Sequence, residues 1–485
     1  MSPKRTHVPC PLRSAALEHP EADVVVLTGE RISYAELDGR VSAAGRRLAE
    51  LGVESGGRVA LYLPKGVDYL VLLLALMRAG GVACPVSTRL PAGGVGPLLR
   101  RTGISALVSS DEGVAGAVGE VRVLRPEELT SGGGGDAGDT DRPEVPLDRP
   151  ATIVFTSGST GTPKAALHTF GNHYFNAIGS NANIALSPGD RWLHSLPLYH
   201  VGGLSILFRC LISGASIALP EPGAPPGEAI PELGATHVSL VSTQLLRLLE
   251  GDADLSGLKA VLLGGGPVSP SLVDRALSRG LPVHTSYGLT EMASQVTTTR
   301  PGASHEELLT AGRALAHREV RVSEDGEILV RGETLLAGYV EDGGASLSTD
   351  GDGWYRTGDL GELDDRGYLR VTGRRDNLFV SGGENIQPEE IEASLLRLEG
   401  VEEAVVVPVP DPEFGERPVA FVRRGKGMGE PARELEKVLP RFKVPKTFHD
   451  WEGSGGMKPD RVALKERARR LPSEHRLSPS GSAGT

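Results

Sequence analysis

Between an apolar run and a lysine, residues 152–168 read TIVFTSGSTGTPKAALH. Thr156, Ser157, Gly158, Ser159, Thr160, Gly161 and Thr162 mass hydroxyls and unencumbered backbone N–H groups in one short span. Donors gathered this way hold phosphate oxygens, and Lys164 adds a positive charge beside them. A Walker A loop needs G-x-x-x-x-G-K-[ST]. Here Pro163 precedes the lysine and Ala165, which has no hydroxyl, follows it, so the ordinary P-loop is excluded. Taken alone, the stretch fits either a different kind of phosphate cradle or a solvated polar loop.

A phosphate cradle has to leave a stiff element, and ATIVFT (151–156) reads as the strand that presents it. Upstream, VSAAGRRLAELG (41–52) has helical apolar spacing and ends in glycine, RVALYLP (58–64) reads as a buried strand, and 69–80 reads as a second helix. This alternation continues to about residue 125 and predicts an α/β layer with parallel strands. The Gly/Asp/Pro-rich segment 131–150 predicts a surface connection. Alternation resumes with a strand at 236–242, a helix at 243–250 and a strand in LKAVLLGGG (258–266). Ser269 as N-cap and Pro270 behind it open a further helix, and LPVHTSYG (281–288) follows as a strand. EVRVSEDGEILVRG (319–332) reads as two strands about an Asp325-Gly326 turn. A separate α/β-looking segment follows GRRD (373–376), and the composition of 473–485 predicts disorder.

With 485 residues, the chain predicts more than one domain. A net charge of −11 argues against a general nucleic-acid binder. Three widely spaced cysteines without a CxxC fit a reducing compartment better than a disulfide scaffold or a zinc site. The N-terminus shows no apolar signal core, and the longest apolar run, 69–84, is broken by Arg78, as in a core helix rather than a membrane span. The expectation is a soluble, cytoplasmic protein.

TSGSTGTPK (156–164) resembles the signature of the AMP-forming adenylate synthetases, which include acyl-CoA ligases, adenylation domains and luciferases. LPLYH (196–200), GGGPVS (264–269), SYGLTE (286–291), YRTGDL (355–360), GRRDNLFVSGGENIQPEEIE (373–392) and a late lysine follow in that family's order, so the resemblance runs from about residue 20 to 465. It implies a large N-terminal AMP-binding and acyl-binding domain (1–375), made of doubly wound α/β subdomains and a small β-rich subdomain. A small mobile C-terminal α+β domain (376–470) and a disordered tail (471–485) would follow.

The resemblance also implies roles. The hydroxyl loop and Lys164 would steady the β- and γ-phosphates of ATP, Glu291 would hold Mg²⁺, and Thr290 would donate to the α-phosphate. Ser286, Tyr287 and Gly288 would lie along the nucleotide, with the Tyr287 ring against adenine, and Gly264, Gly265 and Gly266 would let backbone approach the base. Asp359 would accept from the ribose diol and Arg374 would assist the ribose or phosphate region. Asp376 stands at the hinge position, and Gly382 and Gly383 would line a pantetheine tunnel for CoA. In MKPDR (457–461) the family's usual G-K-x-x-R has lost its glycine to Met457, while Lys458 and Arg461 remain. Lys458 would bridge carboxylate and α-phosphate during adenylation.

For the acid, the TFGNHYF run (169–175), DRW (190–192) and LPLYHVGGLS (196–205) look like the o-succinylbenzoate–CoA ligases of menaquinone biosynthesis. His200 would gate the acyl pocket or touch the carboxylate, and His173, His194 and Arg209 are candidates for a second substrate carboxylate. Two further readings stay open. One is a ligase for another aryl or short acid, or an enzyme loading a carrier protein; the other is a catalytically silent nucleotide-binding paralogue. The charged set Lys164, Glu291, Asp359, Arg374 and Lys458 speaks against the silent paralogue.

Overall fold

The computed structural model describes residues 5–130, 143–156, 163–341, 344–425, 430–453 and 459–471. The apolar run read as a core helix is one: Val67–Arg78 spans 12 residues, and Tyr69 to Met77 are all buried. Among the described residues no helix is long and apolar enough to cross a membrane. The helix read at 41–52 starts earlier, at Tyr34, because the Ser33 hydroxyl accepts from the Glu36 amide at 3.2 Å and caps it.

Two large mixed sheets form the N-terminal body. The first has eight strands, with Arg58–Leu61, Val82–Pro85, Ala106–Val108, Arg122–Leu124 and Pro150–Thr156 running parallel. Lys164–Thr169, Gly338–Glu341 and Gly344–Ser346 extend it as antiparallel neighbours. The second has nine strands around a parallel centre that includes Arg191–Leu193, His237–Leu240, Ala260–Leu263 and Val283–Leu289. Parallel strands need cover on both faces, which explains their near-continuous apolar runs. A four-stranded antiparallel sheet follows, and its first hairpin turns at Asp325-Gly326, with Gly326 at φ 78°. A five-stranded sheet built from residues 379–450, with the helices Pro388–Leu395 and Arg461–Arg470 against it, makes the C-terminal part.

Residues 131–150 are not connection throughout. Glu144–Pro146 pairs antiparallel with the N-terminal strand His7–Pro9, and Val145 and Leu147 are buried against the core. The rest of the expected surface connection, residues 131–142, lies outside the described residues, as does nearly all of the tail.

Three N-terminal helices meet over one buried carboxylate. Asp38 is 1% exposed, with Arg13 at 2.8 Å and Arg78 at 2.6 Å. Removing one member of a buried ion cluster leaves the others uncompensated. Asp38→Ala is expected to lower stability by about 3–5 kcal/mol in urea unfolding, and an unchanged midpoint would contradict this.

Candidate functional site

Thr156 ends one strand directly opposite Lys164 on the next. The span that joins them, which carries Ser157, Gly158, Ser159, Thr160 and Gly161, lies outside the described residues. Lys164 is exposed, and its Nζ stands 5.1 Å from the ring centroid of Tyr339. Tyr339 arrives on the neighbouring strand, in register with Ala166. Its hydroxyl donates to Glu291 Oε1 and lies 3.4 Å from the Tyr355 hydroxyl.

Thr290 and Glu291 form the 3₁₀ turn Thr290–Met292. Two bonds fix it: His168 Nε2 meets the Thr290 carbonyl at 2.7 Å, and the Leu336 amide donates to the Glu291 carbonyl at 2.8 Å. Burial holds the His168 pKa down, and a carbonyl only accepts, so His168 presents a neutral ring with its proton on Nε2. Among the described residues no group of three or more His, Cys, Asp or Glu is gathered for a metal. A Mg²⁺ at Glu291 would therefore take one carboxylate from the protein and its other oxygens from phosphate and water, which suits this hard ion when it arrives with ATP.

Among the residues read as binding the nucleotide, Tyr287 donates to Asp359 Oδ2 at 2.6 Å, and Arg374 reaches Asp359 Oδ1 at 3.2 Å from the facing strand position. Tyr287 is 9% exposed and packs among Met292, Val296 and Ile328, so the ring the sequence places against a base is mostly enclosed. Ser286 donates to the Leu263 carbonyl at 2.8 Å. A Cβ on Gly264 would come within 2.8 Å of the same hydroxyl, so the bare Cα there makes room for Ser286, while Gly265 and Gly266 lie exposed. Gly288 sits against the Ser294 carbonyl.

Pro85, Ser87, Arg89, Phe155, Tyr199 and His200 line a cavity of 160 Å³, and His200 is the residue read from the sequence as gating the acyl pocket. His200 precedes the helix Val201–Ser213, and its ring meets Tyr199 edge-on at 4.8 Å. Arg89 was not singled out in the sequence. Its signal was its place just past the C-terminal end of a parallel strand, where such sheets put their ligands.

The three carboxylate candidates differ. His173 is bonded to the Thr152 hydroxyl at 2.8 Å and stacked on Phe208. His194 is fully buried. Arg209 is 1% exposed and lies 4.7 Å from the Trp192 ring, and its Nε, Nη1 and Nη2 find no acceptor among the described residues. Burial pushes the Arg209 pKa down to about 9. Arg318, held to about 9 by burial and the Arg209 charge, differs in donating to the carbonyls of Ala316, Gln295 and Asn176.

In the C-terminal part, Gly382 and Gly383 make the two-residue turn between Phe379–Ser381 and Glu384–Ile386 with φ 59° and 88°. Two positive φ values in such a turn favour glycine. Asp376 lies in the turn Arg375–Asn377, and Lys458 lies outside the described residues. Arg461 is held to Glu392 at 2.8 Å and to the Val406 carbonyl.

Residues 12–340 match the AMP-binding enzyme family and residues 390–451 match the AMP-binding enzyme C-terminal domain. The chain belongs to the AMP-binding enzyme family. A 2-succinylbenzoate–CoA ligase from Geobacillus sp. (strain WCH70) is 34% identical over 474 residues, covering 92% of this chain and 94% of the relative. The o-succinylbenzoate CoA synthetase of Bacillus subtilis, in complex with the acyl-adenylate intermediate OSB-AMP, superimposes with a TM-score of 0.83 at 31% identity, covering 95% of this chain and 99% of that one. The same synthetase in complex with ATP and magnesium ion gives 0.81 at 31% identity, with 92% and 96% covered. The fold read from the sequence, a large α/β N-terminal domain with a small C-terminal one, is the fold of these enzymes.

Burial, with a smaller contribution from the Lys65 charge, lowers the His194 pKa from 6.5 to about 3. Between pH 7 and pH 5 the unfolded chain protonates this ring and the folded chain does not, so stability falls by about 2 kcal/mol. In His194→Phe the loss of stability over that interval should be smaller by the same amount, read from urea midpoints at the two pH values. Identical slopes in both proteins would contradict this.

Proposed function

We propose that the chain activates o-succinylbenzoate with ATP as the acyl-adenylate and transfers the acyl group to CoA, a step of menaquinone biosynthesis. The observation that carries the choice of acid is Arg209. A buried guanidinium without an acceptor is costly, and a substrate with a second, aromatic carboxylate supplies the missing anion. Arg209 lies on the helix that His200 precedes, about two turns beyond it.

In the first half-reaction the aliphatic carboxylate attacks the α-phosphorus and pyrophosphate leaves. The barrier is the approach of two anions, so fixed cations and donors have to stand where charge develops. Lys164 and the Thr156–Gly161 loop take the β- and γ-phosphates, Thr290 donates to the α-phosphate, and Lys458 spans the carboxylate and α-phosphate. Bound at Glu291, Mg²⁺ supplies charge neutralisation for the phosphate oxygens. Asp359, oriented by Tyr287 and Arg374, accepts from the ribose hydroxyls. The small domain then rotates about Asp376, withdraws Lys458 and brings the Gly382-Gly383 turn beside the pantetheine arm. The CoA thiolate attacks the acyl carbonyl and AMP leaves. No serine or cysteine nucleophile is required, because the mixed anhydride is already activated. A cytoplasmic location and the absence of a nucleic-acid partner belong to the same reading, supported by three free cysteines and the net charge of −11.

AMP release measured across a panel of acids, with and without CoA, tests the proposal. Turnover should require o-succinylbenzoate and CoA, and Lys458→Ala should lower it by roughly 10²–10³. Arg209→Leu should raise KM for o-succinylbenzoate on the order of 10²-fold and leave KM for ATP unchanged. Efficient turnover of benzoate or fatty acids would discard the substrate, and adenylation of no acid would discard the reaction.

A further inference from the structure

Tyr339 belongs to none of the motifs singled out in the sequence, yet it stands between the two groups read as handling the charge of the nucleotide. Its hydroxyl donates to one oxygen of Glu291, and its ring faces Lys164 Nζ at 5.1 Å. The strand that carries it is locked on both sides, because Tyr339 pairs with Ala166 and with Ser346. The Ala337 amide donates to the Leu167 carbonyl at 2.9 Å, and the Leu336 amide holds the Glu291 carbonyl at 2.8 Å. The phenol is therefore placed by two independent sets of backbone bonds, one to the strand of Lys164 and one to the turn of Glu291.

We propose that Tyr339 is a positioning residue for the metal–nucleotide complex: its hydroxyl occupies Glu291 Oε1 and aims the other oxygen at the metal, while its ring face steadies the Lys164 ammonium beside the phosphates. A carboxylate with one oxygen engaged has lost its freedom to rotate and offers the second in a set direction, which is how partners behind a ligand tune metal sites. A lysine over an aromatic face gains a weak directional attraction without forming a bond that a phosphate would have to break. The reading rests on the roles proposed above for Glu291 and Lys164.

The two contacts separate by substitution. Tyr339→Phe keeps the ring and removes the donor; Tyr339→Leu removes both. The measurement is the thermal stabilisation of the protein by ATP, without any acid so that nothing turns over, titrated with Mg²⁺ and repeated in EDTA. Tyr339→Phe should raise the Mg²⁺ concentration for half-maximal stabilisation about ten-fold, with stabilisation by ATP in EDTA unchanged. Tyr339→Leu should in addition weaken ATP binding in EDTA about three-fold. The melting temperature without ligand checks that each variant is folded.

Glu291→Gln and Lys164→Ala separate failure of this inference from failure of the reading beneath it. If Glu291→Gln shifts the Mg²⁺ midpoint and Tyr339→Phe does not, Tyr339 is packing only and the positioning role falls. If Lys164→Ala weakens ATP in EDTA and Tyr339→Leu does not, the ring contact falls. If Glu291→Gln leaves the Mg²⁺ midpoint where it was, the metal role of Glu291 fails and this inference fails with it.

Discussion

The two large sheets of the N-terminal body approach each other along one seam, and the helix Phe170–Asn183 stitches it with amide side chains. Asn172 Nδ2 donates to the carbonyls of Glu333 and Leu335, both at 2.8 Å, and Asn176 Nδ2 donates to those of Met292 at 3.1 Å and Gln295 at 3.3 Å. His168, just before the helix, takes the Thr290 carbonyl. Backbone groups that leave a sheet edge and become buried need partners, and here one short segment supplies them for chain more than a hundred residues away. The same stitches set where Thr290, Glu291 and Tyr339 stand relative to Lys164. Loosening this seam would move Lys164 and the Glu291 carboxylate independently.

The interior also shows two ways of carrying a buried positive charge. Arg318 is surrounded by carbonyl oxygens and closes a gap between helix Phe170–Asn183 and the strand after Glu291. Arg209 has an aromatic face and no acceptor among the described residues. The penalty for a buried, unpaired ion is several kcal/mol, and here it falls on Arg209 while its neighbour Arg318 is satisfied. That contrast, rather than the presence of arginine, is why Arg209 is the residue proposed here to meet a second substrate carboxylate.

What was legible in the sequence was what is local. The Asp325-Gly326 turn, the Ser269 cap and the parallel strands followed from short-range chemistry and are present as read. The start of the helix at Tyr34 is legible too, in Ser33 followed three residues later by Glu36, ahead of the apolar spacing further on. The strand Glu144–Pro146 was hidden by its Gly/Asp/Pro-rich surroundings, since its pairing partner lies at the far N-terminus. Tyr339 was hidden for the same reason. A tyrosine in LLAGYVE carries no chemistry of its own until strand register sets it beside Ala166 and a distant turn brings Glu291 to its hydroxyl.

The passage between the two parts of the chain is asymmetric in strength. Arg375, next to the proposed pivot at Asp376, is bound to Asp325 at 2.6 Å and to the buried Glu327 at 3.2 Å, both in the N-terminal part. Glu327 also takes Arg356 and the Gly358 amide, so this cluster fixes the strand that carries Asp359. From the other side, Gln387 reaches the Arg374 carbonyl at 2.9 Å across the bare face of Gly373, and Arg423 approaches Glu250 at 3.9 Å. The rotation proposed here has to give up these two contacts and can keep the cluster around Glu327. A long, partly solvated ion pair contributes about 0–1 kcal/mol and a neutral hydrogen bond about 1, so each of these two contacts is weak. The strong charges lie on the N-terminal side, so in the proposed rotation the strand that carries Asp359 would stay in place.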